Sequence, residues 1–116
     1  MKPAAEDSIL IVDDVPGLCT LLARALGDLP YRVITANSVR SAMEELDAIG
    51  RIRMLVVDLG LPDGTGLDVV KEVRRRKPDM PILLISGHQV AGLEVDFLLK
   101  PFDPGEFAAK VALMAK

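Results

Sequence analysis

Short runs of consecutive apolar residues alternate along this chain with longer segments in which apolar positions recur every three or four residues. The runs are ILIV at 9–12, MLVV at 54–57, ILLI at 82–85 and FLL at 97–99. Each is too short for a stable helix, and none alternates with polar residues. Runs of this kind predict strands buried on both faces, as in a parallel sheet. YRVITA at 31–36 reads as a weaker strand at an edge. Between the strands lie helical stripes. Leu18, Leu21, Leu22, Ala25 and Leu29 form the first, with Pro16 near its start. Val39, Ala42, Met43, Leu46 and Ile49 form the second, after Ser38 as N-cap. Leu67, Val70 and Val73 form the third. It ends in Arg74, Arg75, Arg76 and Lys77, the charge that the helix dipole favours there, and this basic run reads as a solvated helix end. The last helix opens on Asp103, Pro104 and Glu106, close to a capping box, and buries Phe107, Val111 and Met114.

The alternation predicts one α/β domain spanning residues 1–116, doubly wound around a five-stranded parallel sheet. In such sheets a functional site lies beyond the carboxyl ends of the strands.

Composition narrows the function. Half of the 116 residues are hydrophobic, enough for a sizeable core, but aromatics are only 3%, so aliphatics must build it. The formal charge of −3 argues against a nucleic-acid groove, which needs a basic face. The one cysteine, Cys19, sits in an apolar stripe and reads as core filling, with no internal disulfide to make. No apolar run has the ~18 residues of a membrane span, and MKPAAEDS has no signal-peptide core, so the expected location is the cytoplasm, without membrane insertion.

The residues that follow the buried strands carry the candidate chemistry. Strand one runs into Asp13 and Asp14, strand three into Asp58, strand four into Ser86 and Gly87, strand five into Lys100 and Pro101. Three carboxylates, a hydroxyl and an ammonium should converge on one sheet edge. Crowded carboxylates raise one another's cost of ionisation, and a divalent cation relieves it. Oxygen ligands alone suit Mg2+, and no His or Cys cluster points to zinc. A carboxylate beside Mg2+ can act as a nucleophile towards phosphorus, with Lys100 neutralising charge and Ser86 donating a hydrogen bond. Gly60, Gly64 and Gly66 clear space around Asp58 and let its turn bend.

With these residues in place, the sequence resembles the receiver domains of bacterial two-component response regulators over nearly its whole length. The resemblance rests on VDD with Asp13 and Asp14, on DLGLPDGTG with Asp58, Pro62 and Gly66, on LLISG with Ser86, and on LLKPF with Lys100 and Pro101. It implies a flavodoxin-like strand order 2-1-3-4-5. It also implies a phosphoacceptor role. A histidine kinase or histidine phosphotransfer protein would donate a phosphoryl group to Asp58. Asp13, Asp14, Asp58 and the backbone carbonyl of Gly60 would hold Mg2+. Lys100 would pair with the phosphoryl group, and Ser86 and Phe97 would move as the switch. Gly60 and His88 would flank the site and influence phosphate lifetime. Such a domain catalyses its own phosphorylation and dephosphorylation without being a multiple-turnover enzyme.

Two competing readings stand beside this one. An aspartyl-nucleophile phosphohydrolase resembling the haloacid dehalogenases needs a second Asp two residues after the nucleophile, where this chain has Gly60. A degenerate receiver would serve only as an interaction module. A flavodoxin-type cofactor binder shares the fold, but strand one is followed by acids and not by a phosphate-cradling loop.

One departure concerns the segment between Ser86 and Lys100, only 14 positions apart. Residues 87–96 must cross between strands, at the lower limit of about 10–12 for a crossover, and contain Gly87 and Gly92. The fourth helix should be a single turn or missing. If nothing else covers strands four and five, apolar surface stays open beside the last helix, and the chain would signal through, or form a homodimer on, that face.

Overall fold

The computed structural model describes residues 7–48, 51–87, 90 and 92–116. Ile49 and His88 therefore lie outside the described residues. The elements are β1 (Asp7–Val12), α1 (Pro16–Ala25), β2 (Arg32–Ala36), α2 (Val39–Ala48), β3 (Arg51–Asp58), β4 (Gly60–Leu61), β5 (Gly64–Thr65), α3 (Gly66–Arg76), β6 (Ile82–Ser86), β7 (Asp96–Leu99) and α4 (Pro104–Met114). Five strands form one sheet in the order β2-β1-β3-β6-β7, all pairs parallel. This is the doubly wound, flavodoxin-like order expected from the sequence, with β6 and β7 as its fourth and fifth strands. β4 and β5 form a separate antiparallel hairpin too short to carry a periodic signal.

Side chains of the central strands alternate between two apolar layers, which is why these runs lack polar positions. Ile9, Ile11, Met54, Val56, Leu83 and Ile85 face Leu22 and Leu26 on and just after α1 and Phe107 and Val111 of α4. Leu10, Val12, Leu55, Val57, Ile82 and Leu84 face Ala42 of α2 and Val69, Val70 and Val73 of α3.

The first stripe needs correcting. Cys19, Leu22 and Leu26 are the buried residues, whereas Leu21 is 46% exposed. One residue is about 100° of helix rotation, so a face centred on Leu22 turns Leu21 aside while Leu18 and Ala25 still flank the core. Leu29 lies beyond the end of α1 yet packs on the same core. The basic run is a solvated helix end as expected, with Arg75, Arg76 and Lys77 exposed, but it is not unpartnered. Arg74 donates to the carbonyls of Met80 (2.6 Å) and Glu94 (3.3 Å). Arg75 and Arg76 bond to Glu72 and hold its carboxyl down to about 2, and Arg76 also reaches Asp47 of α2 at 2.8 Å.

Among the described residues, no helix lies between β6 and β7, as the crossover length predicts. Strand β6 is nevertheless buried throughout. Val90, Leu93 and Val95 of the crossover pack where a helix would lie. Beside α4, among the described residues, the open large apolar positions are Leu99 on β7 (49% exposed) and Leu113 on α4 (68%). Among the described residues no helix is long and apolar enough to cross a membrane.

Two ties join distant parts of the chain. The pairing of β1 with β3 slips between Ser8 and Ile9, leaving Arg53 without a partner in the register, and a bulge of this kind re-aims a side chain. Arg53 Nε donates to the Ala115 carbonyl at 2.6 Å, as does the Tyr31 hydroxyl at 3.1 Å, and the guanidinium lies over the Tyr31 ring. Asp7 faces both Arg51 (3.4 Å) and Arg53 (3.9 Å). At the other end of the sheet, Asp63 in the β4–β5 turn accepts the Val39 and Arg40 N–H groups that open α2, at 2.7 and 2.9 Å. These bonds hold its carboxyl below the ordinary aspartate range. Asp63→Ala should lower stability by about 0.5–2 kcal/mol, the usual scale for a lost helix cap, measurable by urea denaturation.

Candidate functional site

Strand register assembles the site. Val12 of β1 lies opposite Val57 of β3, so Asp13 and Asp58 emerge at one level. Asp58 lies opposite Ile85 of β6, and Ser86 opposite Leu99 of β7, so Ser86 and Lys100 come off at the next. The Lys100 N–H donates to the Ser86 carbonyl at 2.9 Å and ties the two strand ends together. Every strand-end residue singled out in the sequence is thus brought to one edge.

Asp13, Asp14 and Asp58 each present a carboxylate oxygen within 4.8 Å of the others. Asp13 and Asp58 are buried and Asp14 is exposed. Lys100 Nζ lies 3.3 Å from Asp58 Oδ2. Asp13 Oδ1 accepts the Val15 N–H at 2.9 Å, while Asp13 Oδ2 is buried with no hydrogen-bond partner. A buried, unpartnered oxygen on a carboxylate clustered with two others costs free energy unless a cation joins it. The donor set, all oxygen, fits a hard divalent ion such as Mg2+.

The backbone around Asp58 is held on three sides. Leu59 N–H donates to the Ile85 carbonyl (3.1 Å), and Gly66 N–H donates to the Leu59 carbonyl (2.7 Å). Gly66 is buried under the Asp58 peptide with no room for a side chain. Gly60 opens β4 and is exposed, in open space. Ser86 is buried at the end of β6. Phe97 is half-buried on β7, packed on the α2–α3 layer, a position that by itself is that of a core aromatic at a sheet edge.

Two participants were not legible in the sequence. Cys19 is buried as expected, but its thiol also donates to the Asp13 carbonyl at 3.3 Å, and burial followed by the Asp13 charge pushes that thiol upward, away from reactivity. Asp63 anchors the loop after Asp58 to α2 across 24 positions. Its Asp-Gly pair signals a turn, but nothing local reveals where the carboxylate lands.

Burial above all, and then the charge of Asp58, raise the Asp13 carboxyl against the opposing Val15 N–H. A carboxyl raised on folding leaves stability intact below its ordinary value, near ~4, and loses it as pH climbs through the folded value. At pH 7 without metal, the Asp13 charge is therefore a cost. Asp13→Asn keeps an oxygen for Val15 and should raise the melting temperature in EDTA. The gain should vanish as pH falls towards ~4, and thermal scans at both pH values check it.

Comparison with known proteins places this arrangement. Residues 9–112 match the model of the response regulator receiver domain. The chain is 35% identical to the alkaline phosphatase synthesis transcriptional regulatory protein PhoP of Bacillus subtilis, over 89% of this chain and 46% of that protein. It is 38% identical to the photosynthetic apparatus regulatory protein RegA of Cereibacter sphaeroides, over 97% of this chain and 64% of that protein. It thus spans about half to two thirds of the length of these relatives. Its fold is similar to the non-phosphorylated HemR receiver domain of Leptospira biflexa (TM-score 0.82, 29% identity, 95% and 94% of the two chains). It is also similar to TrrA of Thermotoga maritima in complex with Mg(2+)-BeF (TM-score 0.79, 26% identity, 93% and 98%).

Proposed function

This chain belongs to the response regulator receiver domains, and from that premise we propose that Asp58 is its phosphoacceptor, loaded from a phosphohistidine. The observation that carries the reading is the juxtaposition of Lys100 Nζ with Asp58 Oδ2 inside a cluster of three carboxylates, one with a buried unpartnered oxygen. An isolated Asp–Lys pair would need no such neighbours.

In the proposed reaction an Asp58 oxygen attacks phosphorus in line. The new O–P bond forms as the N–P bond of the donor breaks, and the histidine nitrogen leaves with the electron pair. Asp13, Asp14, Asp58 and the Gly60 carbonyl would hold Mg2+, which supplies the charge neutralisation that phosphoryl transfer demands. Lys100, already against Asp58, would exchange that carboxylate for phosphoryl oxygens. The Ser86 hydroxyl would turn to a phosphoryl oxygen, and Phe97 would repack with it as the switch. The expected donor is a histidine kinase or histidine phosphotransfer protein in the cytoplasm. A second copy of the chain is a further partner, for which Leu99 and Leu113 offer exposed apolar positions.

Incubation with acetyl phosphate, followed by intact mass and peptide mapping, tests the reading. One phosphoryl group should appear on Asp58 and depend on Mg2+. Repeated turnover of phosphomonoesters would favour a hydrolase, and no incorporation at all would favour an interaction module. Asp14→Ala should weaken Mg2+ binding by no less than the roughly 10–100-fold typical of supporting residues and slow phosphorylation in step. Unchanged affinity by calorimetric titration would remove the metal from the account.

A further inference from the structure

The loop after Asp58 is fastened at both of its sides. On one side Thr65 N–H donates to Asp68 Oδ2 at 3.1 Å, and Gly66 N–H to the Leu59 carbonyl at 2.7 Å, so the base of the β4–β5 hairpin is fixed to α3. On the other side the tip lies on α2. Both oxygens of Asp63 are used there, one on Val39 N–H and one on Arg40 N–H. Gly64 next to it sits so close that a Cβ would be 3.2 Å from Val39 Cγ2.

Asp63 is not the only cap of helix α2, whose own residues satisfy a further N–H group. Ser38 Oγ accepts the Ser41 N–H at 3.0 Å, and Ser41 Oγ in turn accepts the Ser38 and Asn37 N–H groups. What Asp63 adds is a tie from the first turn of α2 to the hairpin. A carboxylate is well suited to it, since the helix N-terminus attracts negative charge and offers unpaired N–H groups. Gly60 lies in the same hairpin, paired with Thr65.

We propose that Asp63 is a positioning residue of the cation site, fixing through the β4–β5 hairpin where the Gly60 carbonyl points. This rests on the reading of Asp13, Asp14, Asp58 and Gly60 as the Mg2+ ligands. Without the tie the hairpin can rotate about its base at Leu59 and Gly66, and one ligand loses its fixed place. Coupling of this kind is reciprocal. A filled cation site therefore steadies the Asp63 bonds to α2.

Mg2+ titration of the whole chain by calorimetry, without phosphate, separates this from simple capping. Asp63→Ala should raise the Kd for Mg2+ about three- to tenfold, within the range of supporting residues at metal sites. Asp63→Asn retains one acceptor oxygen and should recover part of the loss. Ser38→Ala weakens the α2 cap without touching the hairpin. It should lower the melting temperature and leave the Kd at the wild-type value. Hydrogen exchange at Val39 and Arg40 should slow on adding Mg2+ in the wild type and not in Asp63→Ala. Equal Kd values for wild type and Asp63→Ala, or an equal loss in Ser38→Ala, overturn the proposal while the ligand assignment stands. Should Asp63→Ala fail to fold, a wild-type Kd in Asp63→Asn overturns it. A wild-type chain that binds no Mg2+ overturns the ligand assignment and this inference together.

Discussion

Asp58→Asn protein should fold, yet carry no phosphate after incubation with acetyl phosphate and Mg2+. The amide is a poor nucleophile with no charge to hold a cation, so incorporation should fall to background, a complete loss. Folding should survive because the change is nearly isosteric. The amide oxygen can still accept from Lys100, now 3.3 Å from Asp58 Oδ2. Removing one charge also relieves the crowding of Asp13, Asp14 and Asp58. Intact mass spectrometry and a thermal scan on one sample read both effects. A phosphoryl group that persists on another residue would refute the assignment of the acceptor.

The second large effect should come from Gly66→Ala. A Cβ there would overlap the Asp58 carbonyl oxygen, and would come within 3.0 Å of both the Asp58 carbonyl carbon and Val57 Cγ2. Two of those atoms are backbone of the buried central strand, which cannot swing aside as a flexible side chain does. The variant should lose about 1–3 kcal/mol, the scale of overpacking in a tight core. Because the displaced peptide is that of Asp58, the phosphorylation rate should fall well beyond what the unfolded fraction explains. Gly60→Ala is the control: a Cβ at Gly60 meets nothing within 4 Å, so its stability should hardly change. Urea denaturation and initial rates of phosphorylation check the pair. Equal stabilities would mean that the loop yields more easily than its hydrogen bonds suggest.

The strands and the convergence of Asp13, Asp58, Ser86 and Lys100 were legible because both faces of each central strand are buried. Unbroken apolar runs then end where the chain reaches water, and the next residue is exposed as a candidate. The absence of a helix among the described residues of the crossover followed from length alone. What escaped the sequence depends on contacts between remote segments. Leu21 satisfies a helical period as well as Leu22 does, and only the docking angle of α1 decides which is buried. Arg53 looks like a polar residue before an apolar run, and only the slipped pairing with β1 turns it towards Ala115. Asp63 looks like an ordinary turn residue. Phe97 shows the opposite limit, since its place on the edge strand fits a core aromatic as well as a switch.

The sheet has two unlike ends, and the Arg53 bulge lies at one of them. At its amino-terminal end Asp7 meets two guanidinium groups, and the Ala115 carbonyl accepts two donors. At its carboxyl end three carboxylates face one ammonium, and an oxygen of Asp13 is left without a partner. In the language of energy landscapes, the first end is minimally frustrated and the second is locally frustrated. Among the described residues, the buried side-chain oxygen without a partner lies at this one edge, where a divalent cation would resolve the conflict. The opposite edge joins segments from Asp7 to Ala115 without conflict, so the domain can change charge at one end while the other keeps the chain in register.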